Sequence, residues 1–348
     1  MKNFTKKSLA ILFALVLANS SFTACSLSSS KTTSSETNES ADTSASWTPV
    51  KWIDFSSKHD VMIQNDDGSL TPMDQPYFKS TLIAPGTWQI LNDGDYCYLV
   101  EGDDEAIMID CGYGAGNIRE YAQSLTSKPI KNVVNTHYHF DHTANDAYFD
   151  CAYMSPDSVA NATIPNPSFE GIDFSRNYPI VTIKEGYKFE LGNRELEVFD
   201  IPNHTAGGIA LLDRRERLLF SGDEIMNDKM VSLNCSVAQF EQNMSKLEAH
   251  RSEFDKCCAG AMVVDATAVD KFLANAQYIL SGQGTPQTKQ SNLQLPQAST
   301  NSTQKVYVRH VAHPEDITDL QEKMSNKYLL EMTYSNCTIE YDSRKIKD

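Results

Sequence analysis

Thr136-His137-Tyr138-His139-Phe140-Asp141-His142 places three imidazoles and one carboxylate within six residues. Val133-Val134 just before it reads as a buried strand that ends at Asn135. Beyond a strand end, residues two apart project the same way, so His137 and His139 can grip one ion. Asp141 and His142 begin the following turn and can face the other side of the same pocket. So many polar atoms are costly to bury unless they bind something. Imidazole and carboxylate donors together suit a hard-to-borderline metal ion such as zinc.

Two later segments extend the set. Ile201-Pro202-Asn203-His204-Thr205-Ala206-Gly207-Gly208 puts a histidine at a strand end, beside glycines that let backbone approach closely. Leu219-Phe220-Ser221-Gly222-Asp223 puts a carboxylate at the end of a later strand. His204 and Asp223 are thus the third imidazole and the oxygen donor that four-coordinate zinc takes.

The surrounding pattern is one of strands and helices in alternation. Apolar runs at 96–100 and 106–109, joined by Glu101-Gly102-Asp103-Asp104, predict a hairpin. Ile118, Tyr121, Ala122 and Leu125 recur at helical spacing, which predicts a helix over 117–127. Runs at 189–191, 196–201, 209–212 and 218–220 read as strands. Helical spacing returns with Phe240, Met244, Leu247 and Phe254, and again from Val269 to Leu280. Residues 47–80 are lead-in structure, 283–304 a polar loop or linker, and the tail from Val306 resumes strand-like runs, ending in 338–346. The order predicts an α+β fold whose sheets pack face to face with helices outside.

Taken together, these segments resemble the metallo-β-lactamase superfamily over roughly residues 85–282. Tyr98-Leu99-Val100-Glu101-Gly102 with Met108-Ile109-Asp110-Cys111-Gly112 is similar to the family's opening hairpin. The histidine motif, the His204 loop and Ser221-Gly222-Asp223 follow in family order. The resemblance implies an αββα sandwich with the site at one edge of the sheets. It also implies that His137, His139 and His204 hold a first metal, that Asp141 and His142 belong to a second, and that Asp223 bridges them.

One departure stands out. The family's last ligand is a histidine after a strand, and the matching Cys257-Cys258-Ala259-Gly260-Ala261 carries alanine there. The first site is expected to fill normally and the second to be weak, water-completed or vacant. His59, His250, Cys257, Cys258, His310 and His313 are the other candidate donors, and spacing selects none of them.

Bound zinc lowers the pKa of its water from roughly 16 to about 7. The expected activity is therefore attack by metal-bound hydroxide on a small ester, lactone, thioester or phosphoester, with Asp141 orienting the water or taking its proton. Iron and manganese are the alternatives to zinc. A bridging Asp223 resembles the thioesterase, lactonase and phosphodiesterase branches more than the true β-lactamases. The rival expectation, motivated by Ala261, is a surface lipoprotein that binds metal or ligand with impaired catalysis.

The N-terminus sets the expected location. Lys2, Lys6 and Lys7 precede an apolar run over 9–18 that is too short for the roughly 20 residues of a spanning helix, so residues 1–24 read as a secretory signal. Phe22-Thr23-Ala24-Cys25 resembles the lipobox of bacterial lipoproteins, which makes Cys25 the lipidated residue. Residues 25–46 form a tether: from 26 onward nine Ser and four Thr leave little apolar surface to bury. Residues 47–348 are expected to form one domain, with its core at about 85–282 and an extension over 283–348, anchored on the extracytoplasmic face of the cell membrane.

Seven further cysteines form no metal knuckle and read mainly as small buried residues, with one disulfide still compatible. The full chain has 348 residues and a net charge of −16; losing the three signal lysines makes it −19. That acidity excludes a nucleic-acid partner and disfavours anionic substrates, leaving a small molecule as the expected ligand. Oligomeric state is not legible.

Overall fold

A computed structural model of the chain describes residues 61–64, 69–73, 75, 78–92, 95–114, 116–165, 174–288, 305–308 and 328–347. The expected signal peptide, Cys25, the tether, His59, His310 and His313 lie outside them.

Seven strands build the first sheet in chain order: β1 Phe78–Ala84, β2 Thr87–Asn92, β3 Asp95–Glu101, β4 Ala106–Ile109, β5 Ile130–Val134, β6 Cys151–Met154 and β7 Ile180–Thr182. Pairing is antiparallel as far as β4 and parallel from β4 to β7. The second sheet runs β8 Lys188–Glu190, β9 Glu195–Asp200, β10 Ile209–Asp213, β11 Leu218–Gly222, β12 Lys256–Ala259 and β13 Val263–Asp265. Only its β11–β12 pair is parallel. Helix α1 Ile118–Gln123 connects β4 to β5, and the single-turn α2 Phe140–Thr143 follows β5. Helix α3 Val237–Ala249 leads into β12, and α4 Thr267–Leu280 follows β13.

Alternation along the strands sorts the side chains into layers. Tyr98, Val100, Ile107, Ile109 and Val134 of the first sheet meet Leu196, Val198, Ile209, Leu211, Leu218 and Phe220 of the second. Their neighbours one residue away face outward. Cys97, Leu99, Met108 and Val133 pack on Ile118 and Ala122 of α1. Phe199, Ala210, Leu212, Leu219 and Cys257 pack on α3 and α4 through Phe240, Met244, Phe272 and Ala276. The result is the αββα sandwich. Because both faces of both sheets are covered, the central strands are apolar at nearly every position.

The C-terminal segment is part of the same packing. Strands Leu329–Tyr334 and Cys337–Asp342 pair around Ser335-Asn336, both at positive φ as a tight hairpin turn requires. Met332, Ile339 and Tyr341 join the α3–α4 cluster, and Asn275 on α4 donates to the carbonyls of Met332 and Cys337 at 2.9 and 3.0 Å.

Three expectations shift. The helix over 117–127 spans only 118–123, started by an Asn117 side chain that accepts from Glu120 N. Phe254 lies beyond α3, after a 3-10 turn at Arg251–Glu253, yet its ring is buried in the same cluster. Strands β1, β2, β6 and β7 were absent from the sequence reading. All seven cysteines among the described residues are free, six of them buried, so none forms a disulfide.

At one edge a single buried cation ties the sheets together. Arg194, in the β8–β9 turn, is 3% exposed. Its Nη1 donates to the carbonyls of Gly86 and Glu101 at 3.0 and 2.9 Å, and its Nη2 to Thr87 Oγ1 at 2.6 Å. Nη2 and Nε also bind Asp213 Oδ2 at the end of β10, at 2.5 and 3.0 Å. Glu101 closes β3 here; Asp95 opens it about 20 Å away at the opposite edge.

Candidate metal centre

The opposite edge gathers the ends of β5, β9, β11 and β12. His137 and His139 follow β5, and Tyr138 between them packs instead against the cluster under α1. The chain then enters α2, whose first residues bring Asp141 and His142 back toward the same point. His204 comes from the loop after β9, and Asp223 from the end of β11. Between them, His137, His139 and His204 each offer one nitrogen within 4.8 Å of the others, and so do the donor atoms of His137, His142 and Asp223. His139 Nδ1 and His204 Nε2 stand 3.1 Å apart. Two imidazole nitrogens on one tetrahedral zinc stand roughly 3.3 Å apart, so the spacing fits.

Asp223 faces both groups. Its Oδ1 lies 3.6 Å from His142 Nε2 and its Oδ2 lies 3.9 Å from His204 Nε2. Asp141 Oδ2 is 3.7 Å from His142 Nε2. The six residues singled out from the sequence are thus brought together at one edge, all but His139 fully buried.

A single carboxylate sets the two histidine tautomers. Asp110 accepts from Thr136 N at 2.7 Å, from Thr136 Oγ1 at 2.8 Å and from His142 Nδ1 at 2.9 Å. With its proton committed to Asp110, Thr136 Oγ1 accepts from His137 Nδ1 at 3.1 Å. Both rings therefore carry the proton on Nδ1 and present Nε2 to the cluster. His137 Nε2 is fully buried and has no hydrogen-bond partner among the described residues. An orphaned imidazole lone pair grouped with the Asp223 carboxylate fits a cation, and this is the structure's own evidence for a metal. Burial and the neighbouring imidazoles hold the His137 pKa well below the usual range, keeping that lone pair available. For His142 burial pulls down, but the Asp110, Asp141 and Asp223 carboxylates prevail and hold its pKa well above that range.

The Metallo-beta-lactamase superfamily model matches residues 93–257, a span that contains every one of these donors. This chain carries a metallo-beta-lactamase superfamily domain. An acyl-coenzyme A thioesterase of Bos taurus is 26% identical to it, over 38% of this chain and 59% of that protein. A hydroxyacylglutathione hydrolase of Methylococcus capsulatus is 28% identical, over 37% of this chain and 48% of the relative. The chain thus spans about half the length of these curated relatives. Among solved structures, a metallo-beta-lactamase from Pontibacter korlensis superposes with a TM-score of 0.45 at 17% identity, covering 58% of this chain and 99% of that one.

Within this metallo-beta-lactamase domain, two glycines are dictated by crowding. Gly222 sits at φ +47°, and a Cβ there would meet Thr136 Oγ1 at 2.1 Å. A Cβ on Gly260 would meet Asp223 Oδ1 at 2.0 Å. The other candidate donors fall elsewhere. His250 bonds Glu253 Oε1 and packs on Phe199, Cys257 lies in the α3–α4 cluster, and Cys258 lies between the sheets.

Four residues of the centre escaped the sequence reading as contributors: Asp95, Asp110, Thr136 and Glu224. Glu224 is fully buried and holds the His204 loop. Its Oε2 accepts from the backbone N–H of Asn203 and of His204, each at 2.6 Å. Its Oε1 accepts from Thr205 N at 3.1 Å and Thr205 Oγ1 at 2.9 Å. Burial pushes its pKa up to about 7, against the lowering pull of His204 and these donors. Replacing Oε2 with an amide would turn a donor toward two buried N–H groups. Glu224→Gln is therefore expected to cost about 2–4 kcal/mol in the metal-free protein, measured by chemical denaturation. An unchanged midpoint would show that the loop is held by other contacts.

Proposed function

We propose that this chain is a zinc-dependent hydrolase of small esters, lactones, thioesters or phosphoesters, lipid-anchored through Cys25 on the outer side of the cytoplasmic membrane. The observation that carries the reading is Asp223, whose two oxygens face His142 on one side and His204 on the other. A carboxylate so placed can serve two cations at once. The relatives act, by name, on acyl groups carried by coenzyme A or glutathione, which favours a thioester within this class. The net charge of −16 favours a small substrate with little negative charge of its own.

Zinc, when bound, supplies a nucleophile at neutral pH and polarises the substrate oxygen. The chain's own groups do the rest. Asp141, 4% exposed and at the cluster, is placed to accept the proton of the attacking water at its carboxylate. Asp110 and Thr136 keep His137 and His142 in the tautomer that binds. Glu224 holds the His204 loop in register with them. The reading of an impaired binding protein rested on Ala261 alone, and no other observation at the site favours it.

The test is a panel of uncharged thioesters, esters, lactones and a phosphodiester, assayed on zinc-loaded and chelator-treated protein. Hydrolysis of at least the thioester is expected in the loaded form only. Full activity in metal-free protein would sink the proposal. For the anchor, Cys25→Ser is expected to move the protein from the membrane fraction to the soluble extracytoplasmic fraction; retention in the membrane would argue for another tether. Among the described residues, no helix is long and apolar enough to cross a membrane.

A further inference from the structure

Position 261 offers no ligand, yet the second cluster is not short of donors. Asp95 opens β3, is 1% exposed, and offers an oxygen within 4.8 Å of donor atoms of both Asp141 and His142. Backbone pairing explains how it arrives there. Tyr96 N donates to the Gly260 carbonyl at 2.8 Å, and Gly260 N donates to the Gly222 carbonyl at 3.1 Å. Asp95 is thereby stitched beside the segment in which Ala261 sits. Gly260 itself has no room for a side chain against Asp223, so the adjoining strand is the nearest route for a replacement donor.

We infer that Asp95 is a ligand of the second metal position, taking the role that Ala261 leaves open, and that this position suits a harder divalent cation than the histidine triad does. The inference rests on the hydrolase reading in that it requires metal at the neighbouring triad. The chemistry of the donors supports it. The triad is all imidazole, which suits zinc; the second position groups Asp95 and Asp141 with one imidazole, His142, and Asp223 Oδ1 lies 3.6 Å from that same ring. Carboxylate oxygens suit manganese or magnesium better than imidazoles do. Three carboxylates in a buried space repel one another, and a divalent cation among them relieves that repulsion. His137 Nε2 lies within reach of His142 and Asp223 as well as of the triad, which places the second position directly beside the first.

The test is metal stoichiometry and affinity on the full chain, read by elemental analysis and by the electron paramagnetic resonance of Mn²⁺. Wild type dialysed against Zn²⁺ with excess Mn²⁺ is expected to hold about one of each. Asp95→Asn, nearly isosteric, is expected to keep the zinc and weaken the Mn²⁺ equivalent by at least about 100-fold. Asp95→Glu, which keeps the carboxylate, is expected to retain part of it. Thermal melting of each metal-free variant establishes that it is folded. Two equivalents of unchanged affinity in Asp95→Asn would overturn the role of Asp95 and leave the hydrolase reading intact. A wild type holding zinc but no second ion would do the same. Two zinc ions and no Mn²⁺ would overturn the preference for a hard cation. A wild type that binds no metal at all would overturn both this inference and the hydrolase reading.

Discussion

His204→Ala is expected to lower kcat/KM for the best substrate of the panel by at least about a thousandfold, or roughly 4 kcal/mol of transition-state stabilisation. The size follows from the site's construction. His204 is one of only three imidazoles in its group, and its Nε2 lies 3.1 Å from His139 Nδ1. Removing it leaves two nitrogens and a shared carboxylate, one donor fewer than the wild-type set and with the carboxylate divided between two groups. The loss should therefore appear first as lost zinc. Chelation of wild type is expected to give the same fall, reversed by added Zn²⁺, whereas added Zn²⁺ should not restore the variant at equal concentration. His250→Ala is the matched control, because His250 sits at the end of α3 and bonds Glu253. Its activity is expected to stay within about twofold of wild type. If His204→Ala keeps both its zinc and its rate, the triad is not the metal site.

The largest effect on stability is expected at the other edge. Arg194 and Asp213 form an ion pair whose side chains are 1% and 0% exposed. Truncating one partner of such a pair strands the other charge away from water, at a cost of about 3–5 kcal/mol. Arg194 also satisfies the carbonyls of Gly86 and Glu101 and the Thr87 hydroxyl, so Arg194→Met should fall in the upper half of that range. In a thermal melt this is a drop of roughly 10 °C. Arg194→Met combined with Asp213→Asn should recover part of the loss. The asparagine is neutral, and its Oδ1 can still accept from Arg215 N and Glu216 N as Asp213 does. A double variant no better than the single would place the cost in the lost carbonyl contacts instead.

The parts of this molecule legible in its sequence are those encoded within a few residues. The hairpin of β3 and β4 pairs Tyr98 with Ile109 and Val100 with Ile107, as its apolar runs and its polar turn predicted. The histidines and Asp141 share one short segment, and His204 and Asp223 stand at strand ends flanked by glycine. β1 was hidden because its exposed, polar positions blunt the apolar alternation. β6 and β7 are too short, at four and three residues, to show a period. Asp110 and Asp95 were invisible for a different reason. Each is an ordinary acid at a strand terminus, and its meaning arises only when parallel pairing sets Asp110 beside Thr136, 26 residues on, and a loop contact sets Asp95 beside Gly260. Glu224 could have been suspected, as a second acid directly after Asp223 at the end of an apolar strand.

The distance between the Arg194 clamp and the metal edge also bears on how this protein can change. Perturbations about 20 Å apart with no shared partners add independently, so a lost ligand at one edge need not loosen the closure of the sandwich at the other. Ala261 can therefore stand at the metal edge without unfolding the chain, and a strand-end aspartate can supply a donor beside it. The clamp makes the donor set an interchangeable part, open to revision one residue at a time on a frame that does not depend on it.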